Sequence, residues 1–137
     1  MAPDQAERIA IESDADVVTA RQRARALAVE LDMPSTDQTL LATAISEIAR
    51  NITAYAERGE VLLDLVRDDN GRRGIRVVAV DDGPGIEDLE KALTDGYTTG
   101  GGLGLGLPGA RRLVDEFDIE TAPGEGTRVT LVKWTRA

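Results

Sequence analysis

Apolar residues recur along this chain with two periods, and each predicts its own kind of element. Ile9 and Ile11 alternate with polar neighbours over residues 7–12, the pattern of a short strand near a sheet edge. Past Ser13 and Asp14, either of which can cap a helix, the spacing lengthens. Val17, Ala24, Leu27, Ala28 and Leu31 then fall on one stripe of a helix that runs to about Asp32. Arg21, Arg23 and Arg25 lie mostly off that stripe, as a solvated face or as a surface where a protein could dock. Pro34 ends the segment. Ser35 and Gln38 have the spacing of a capping box for a second helix over 36–56, with Leu41, Ile45, Ile48 and Ile52 as its buried stripe. Gly59 then predicts a helix stop in the left-handed conformation.

The next segments are β-rich. Residues 60–67 and 75–81 flank a stretch dense in turn residues, 68–74, and together predict a hairpin. A short helix is expected over 87–93, and 94–101 has small residues without a period, the profile of a mobile loop or lid. Leu107, Ala110, Leu113, Val114 and Phe117 predict a helix over 107–117, where Pro108 fits the first turn because its missing N–H costs nothing there. Residues 119–122 and 127–134 close the chain as a hairpin around 123–126, with Trp134 packed on the sheet. Adjacent hairpins and separate helices predict an α+β fold. Its architecture would be a two-layer sandwich, with a mixed, mainly antiparallel sheet carrying the helices on one face. The 137 residues suffice for one domain, 1–137, with a single core.

Composition removes several chemistries. The chain has no Cys, so thiolate nucleophiles, disulfides and thiolate metal sites are excluded. With no His either, the commonest general base, the usual zinc ligand and a phosphohistidine intermediate are gone. A formal charge of −9 argues against nucleic acid or an anionic membrane as partner. No apolar run approaches the length of a membrane span, and the first residues do not resemble a secretion signal, so a soluble, cytoplasmic protein is expected.

Three clusters of residues could carry chemistry. Glu47 and Asn51 are spaced to project from one face of the second helix, beside its buried stripe. A carboxylate with a side-chain carbonyl one turn on can orient a nucleophile and ligate Mg²⁺; spacing alone equally describes, and favours, a surface Glu and a solvated Asn. Asp81 ends the most apolar strand and opens a turn through Gly83 and Gly85. A carboxylate there needs donors, such as the exocyclic amine of adenine, although an ordinary Asp-Gly turn is a serious competitor. Gly102, Gly104 and Gly106 can line successive N–H groups against a polyphosphate just before a helix N-terminus. The run from Gly104 to Gly109 matches the dinucleotide fingerprint, but no strand precedes it and no βαβ unit follows. The Gly-Lys-Ser/Thr of a Walker A loop is absent.

In this order and together, the clusters resemble the Bergerat (GHKL) ATP-binding domain of gyrases, heat-shock ATPases, histidine kinases and anti-sigma kinases. Glu47-Ile48-Ala49-Arg50-Asn51 looks like its N-box, and Asp81 to Gly85 like its D-x-G-x-G box. Gly102 to Gly106 looks like its G-x-G-x-G box, and Gly124-Glu125-Gly126-Thr127 like its last element. The stretch from Ala44 to Ile52, that from Gly101 to Gly109, Asp115-Glu116-Phe117 and Lys133-Trp134 are closer still to the RsbT-type switch kinases of the bacterial stressosome.

The resemblance implies an ATP- and Mg²⁺-dependent protein serine/threonine kinase that acts on STAS-domain scaffold proteins. When released, such a kinase binds and activates a PP2C-type phosphatase. By position, Asp81 would bind adenine with Thr127 in support, and Ile86 would pack on the base. Gly83 and Gly85 would shape that turn, and Gly102, Leu103, Gly104, Leu105 and Gly106 would hold the phosphates. Asn51 would ligate Mg²⁺, and Glu47 would orient or deprotonate the incoming hydroxyl. The chief rival is an anti-sigma factor that sequesters a sigma factor or switches with an anti-anti-sigma factor. A non-catalytic nucleotide sensor is a second rival. A histidine-kinase module is disfavoured by the lack of a His-bearing dimerisation helix.

Overall fold

The computed structural model describes residues 7–56, 58–83 and 106–135. The expected helix over 87–93 and lid over 94–101 lie outside the described residues. Strand β1 (Glu7–Ile11) leads into helix α1 (Asp14–Glu30) and helix α2 (Ser35–Tyr55). Strands β2 (Gly59–Arg67) and β3 (Arg73–Asp81) form the first hairpin. Helix α3 (Gly106–Leu113), β4 (Glu116–Thr121) and β5 (Thr127–Trp134) complete the order. One five-stranded sheet runs β1-β2-β3-β5-β4, and its four pairings are all antiparallel. The α+β sandwich and the edge position of β1 are as expected.

Register explains where the core sits. Ile9, Val61, Ala79, Val129 and Ile119 stand opposite one another across the sheet, and Glu7, Leu63, Val77, Leu131 and Phe117 form the next row on the same side. Directly opposed residues project to one face, and this face carries the helices. Its central side chains, Val61, Leu63, Val77, Val129 and Leu131, are buried with Leu41, Ile45, Ile48 and Ile52 of α2. Helix α2 packs against both α1 and α3, and every residue from 44 to 49 is buried. A helix buried nearly all round is a central one. On α1 the expected stripe packs inward, while Arg23 pairs with Glu7 at 3.1 Å as part of a solvated face. Among the described residues, no helix is long and apolar enough to cross a membrane.

Four local expectations are corrected. Ser35 lies inside α2 rather than capping it: Pro34 takes the N-cap position, and the Gln38 amide Nε2 donates to the Met33 carbonyl at 3.0 Å. Ser13 does stand at the N-cap of α1, but its hydroxyl donates to Asp16 Oδ2 instead of accepting from the helix. Gly59 opens β2, and it is not among the residues with positive φ. It is small because a Cβ there would run into the Val80 carbonyl and come within 2.9 Å of Ile52 Cγ2. Finally, α3 stops at Leu113, and Phe117 belongs to β4 opposite Leu131. Residues 116–121 alternate exposed and half-buried, so period two outcompetes period 3.6 once β5 offers a partner. Trp134 packs on the sheet over Gly74, with the Arg72 guanidinium 5.0 Å from its ring centroid.

Candidate functional site

The core face of the sheet ends in a polar row. Ile11, Gly59, Asp81, Thr127 and Thr121 lie side by side across the five strands, one step beyond the row of Ile9 and Ala79. Asp81 therefore projects on the helix side, not into solvent beyond a turn. It is only 8% exposed and Thr127 is 6% exposed. The Gly83 N–H donates to Asp81 Oδ1 at 2.9 Å, and the Thr127 N–H donates to the same carboxylate group. Burial pushes the Asp81 carboxyl above its ordinary range; the Gly83 and Thr127 donors pull it down, and the nearby Asp82 charge adds to the rise. No basic side chain among the described residues pairs with Asp81. A buried carboxylate without a cation is ready to accept from a ligand donor.

Glycines permit the close approach. Gly126 has φ +79°, and a Cβ on it would strike the Asp81 carbonyl. Only glycine brings the Thr127 strand this near in that conformation. A Cβ on Gly83 would sit 2.6 Å from the Ala56 Cβ, so the Asp81 turn lies directly against the end of α2. A cleft of about 380 Å³ opens at this edge of the sheet, lined by residues 80–82, 120–122 and 125–128 from the ends of β3, β4 and β5, Asp81, Thr121 and Thr127 among them.

Thr121 was not foreseen. Its hydroxyl donates to the Gly126 carbonyl at 3.0 Å and lies 3.0 Å from Thr127 Oγ1. Nothing in the local sequence marks it. The available signal was its place opposite Thr127 in the final hairpin, which requires the register.

Helix α2 supplies the next pair. Glu47 is 9% exposed, so the surface-Glu reading fails. The Arg50 guanidinium approaches Glu47 Oε1 at 3.5 Å from the solvent side. Asn51, one turn further, is half-buried. From Ala56, which abuts Gly83, the helical rise places Asn51 about 7.5 Å and Glu47 about 13.5 Å back along the α2 axis. The Asp81 turn thus abuts the end of α2, and Asn51 and Glu47 follow one another back along that helix.

Helix α3 starts at Gly106, with Leu107 and Ala110 buried and Pro108 in its first turn, as expected. Its N-terminal N–H groups have no intrahelical partners, as at any helix start. Gly85, Ile86, Gly102, Leu103, Gly104 and Leu105 lie outside the described residues. The structure therefore brings Asp81, Gly83 and Thr127 together, and orders Asn51 and Glu47 along α2.

Comparison with known proteins agrees with this geometry. Residues 36–136 match the family described as histidine kinase-, DNA gyrase B- and HSP90-like ATPases. The chain is 46% identical over 128 residues to the serine/threonine-protein kinase RsbT of Bacillus subtilis (strain 168), covering 93% of this chain and 96% of the relative. It is 30% identical over 118 residues to an anti-sigma F factor of Caldanaerobacter subterraneus subsp. tengcongensis, covering 84% of this chain and 82% of that one. Among solved structures, the RsbU and RsbW domains of a Mycobacterium tuberculosis protein superpose with a TM-score of 0.60 at 22% identity. That match covers 96% of this chain but 33% of the other, and at this identity it speaks for the fold alone. The expected RsbT-type resemblance and Bergerat fold are both met, and the expected enzyme class is that of the 46% identical relative. The chain belongs to the histidine kinase-, DNA gyrase B- and HSP90-like ATPase family.

Proposed function

We propose that this protein is an ATP-dependent protein serine/threonine kinase acting on STAS-domain scaffold proteins of a stressosome-like module. In this reading the released kinase binds and activates a PP2C-type phosphatase. The observation that carries the enzymatic part is Glu47, a carboxylate buried on the central helix one turn from Asn51, on the helix whose end abuts the Asp81 turn.

The groups present fit ATP. The Asp81 carboxylate accepts from the 6-amino group of adenine, with Thr127 beside it, while Gly83 and Gly85 keep the turn close and Ile86 packs on the base. Gly102, Leu103, Gly104, Leu105 and Gly106 hold the phosphates at the start of α3. Asn51 offers Mg²⁺ one hard oxygen, in keeping with an ion that takes most of its ligands from phosphates and water. The ion neutralises charge on the phosphates during transfer. Glu47 accepts the proton of the substrate Ser or Thr hydroxyl, the part His cannot play in this chain.

A second reading, an anti-sigma factor that sequesters a sigma factor or switches with an anti-anti-sigma factor, draws on the 30% identical relative. The 46% identity over nearly the whole length favours the kinase. Transfer of labelled phosphate from ATP to purified STAS proteins tests the proposal. Glu47→Ala is expected to bind ATP normally while transfer falls roughly 10²–10⁴-fold. Equal transfer by Glu47→Ala and the parent would remove Glu47 as the base. Recovery of a sigma factor without any STAS protein would favour the second reading.

A further inference from the structure

We propose that Thr121 is a positioning residue for nucleobase recognition. It fixes the Thr127 hydroxyl as an acceptor toward the cleft, and so favours a base that presents an amino group there. The inference rests on the reading of the Asp81 cleft as the base site, and it goes beyond it by assigning a residue and a direction of hydrogen bonding.

A hydroxyl has a single proton to donate and two lone pairs to accept with. Thr121 Oγ1 lies 3.0 Å from the Gly126 carbonyl, which can only accept, so the Thr121 proton is committed there. The 3.0 Å contact between Thr121 and Thr127 must then use the proton of Thr127. With its proton given to Thr121, the Thr127 hydroxyl can only accept from a ligand in the cleft that Thr127 helps to line. The Asp81 carboxylate beside it is also an acceptor.

The relay is held in place by the backbone. Thr121 and Thr127 are directly opposed across β4 and β5. Gly126, whose carbonyl takes the Thr121 proton, is locked at φ +79° against the Asp81 backbone. A free threonine hydroxyl rotates to suit either a donor or an acceptor. A hydroxyl tied to Thr121 cannot, and two fixed acceptors favour a base that presents an amino donor to them over one that presents an oxo acceptor there. A site that leaves buried polar groups unpaired with the wrong base rejects it far better than one relying on apolar contact.

Titration calorimetry with ATP and inosine triphosphate tests this, because the two bases differ along one edge: an amino donor beside an accepting ring nitrogen in adenine, an oxo acceptor beside a ring N–H in the inosine base. Thr121→Val is expected to weaken ATP binding about three- to tenfold, the worth of one neutral hydrogen bond. Inosine triphosphate should lose less, so the ratio of the two affinities narrows. In phosphotransfer the loss should appear in KM for ATP with kcat unchanged. Thr121→Ser, which keeps the hydroxyl, should restore the parent ratio. Thr127→Val should show the same narrowing, and the double variant should be no worse than Thr127→Val alone, because coupled residues are not additive. Thr121→Ala, read in the same way, carries the test should the valine side chain disturb β4.

A parent-like ratio in Thr121→Val, or fully additive losses in the double variant, would overturn the relay. Asp81→Asn separates the two layers of the argument. Should it bind ATP as the parent does, the cleft is not the base site and both readings fall. Should it lose binding while Thr121→Val keeps the parent ratio, only the relay falls.

Discussion

The helix-facing side of the sheet carries a charged residue at each end, and the two ends handle it in opposite ways. Toward one end Leu65, Ile75 and Lys133 form the last row that runs across three strands. Lys133 is 8% exposed, and its ammonium lies 3.9 Å from Asp37 Oδ1 and donates to the Leu113 carbonyl at 3.3 Å. It meets the acidic first turn of α2 and the last carbonyls of α3, both of which suit their helix dipoles. Charge is compensated, and Asp37 is 1% exposed. At the other end, Asp81 is buried to the same degree as Lys133; among the described residues its donors are backbone N–H groups, and it helps to line the cleft at that edge. Helix α2 spans both ends, from Asp37 in its first turn to Ala56 against Gly83. A closed ion pair ties the fold together; a buried carboxylate without a cation is held ready for something else.

The largest effect is expected at the closed end. Removing the cation in Lys133→Met leaves Asp37 buried without its partner ammonium, and breaking such a pair costs about 3–5 kcal/mol. The 3.9 Å separation argues for the lower part of that range. Urea unfolding of Lys133→Met, and of Lys133→Met with Asp37→Asn, checks this: the second change should recover part of the loss. A loss below that of an ordinary surface substitution would erase the contrast between the ends.

Asp81→Asn reverses the pattern. The amide oxygen can still accept from Gly83, but the charge that takes up a ligand donor is gone. ATP affinity is expected to fall by about 100-fold, as for a lost hydrogen bond to a charged group. The unliganded protein should unfold at a urea midpoint equal to or above that of the parent. A strongly destabilised Asp81→Asn would mean that the acid is structural after all.

These two ends were not equally legible in the sequence. Asp81 stood out because it terminates the run of Val77, Val78, Ala79 and Val80 and is followed by glycine. Helix α2 was legible from its stripe, and both hairpins from their turns. Lys133 and Asp37 are far apart in the chain, and nothing local distinguishes a buried lysine from an exposed one. The same holds for Thr121, whose role depends on which residue it faces across β4 and β5. Spacing on α2 could say that Glu47 and Asn51 share a face. It could not say that the face is covered, because burial of Glu47 depends on the helices packed beside α2. The overrun of α3 to Phe117 has the same origin: two periods fit the residues, and a distant strand decides between them.

A smaller effect comes from the turn that brings Thr127 to Asp81. Gly124 and Gly126 both have φ +79°, but a Cβ on Gly124 meets nothing within 4 Å, whereas one on Gly126 meets the Asp81 backbone. Gly124→Ala should therefore cost only the left-handed conformation, about 1–2 kcal/mol. Gly126→Ala should cost more and should also weaken ATP binding, since it displaces the row from which Asp81 and Thr127 project. Equal stability and equal ATP affinity in the two variants would show that the close approach of β5 to Asp81 is dispensable.

The smallest effect separates the two ends by pH. The Asp81 carboxyl sits above its ordinary 3.8 because burial disfavours the charged form. A group whose folded value is raised binds its proton more tightly in the folded chain, so protonation favours the fold. That contribution is fully present below pH 3.8 and is lost as the pH rises through the raised value. Asp68 runs the other way: burial would raise it, but the backbone N–H groups of Arg72 and Asn70, with the Arg72 guanidinium, outweigh that and hold it below its ordinary value. Its contribution is lost on acidification and is common to the parent and to Asp81→Asn, so it cancels in their difference. The stability advantage of Asp81→Asn over the parent should thus be greatest near neutral pH and shrink as the solution is made acidic. Urea midpoints of both proteins, measured in steps from pH 7 toward pH 4, read this directly. A gap that stays constant across the range would mean that the Asp81 proton is not linked to folding, and that this end of the sheet bears no cost for its unpaired acid.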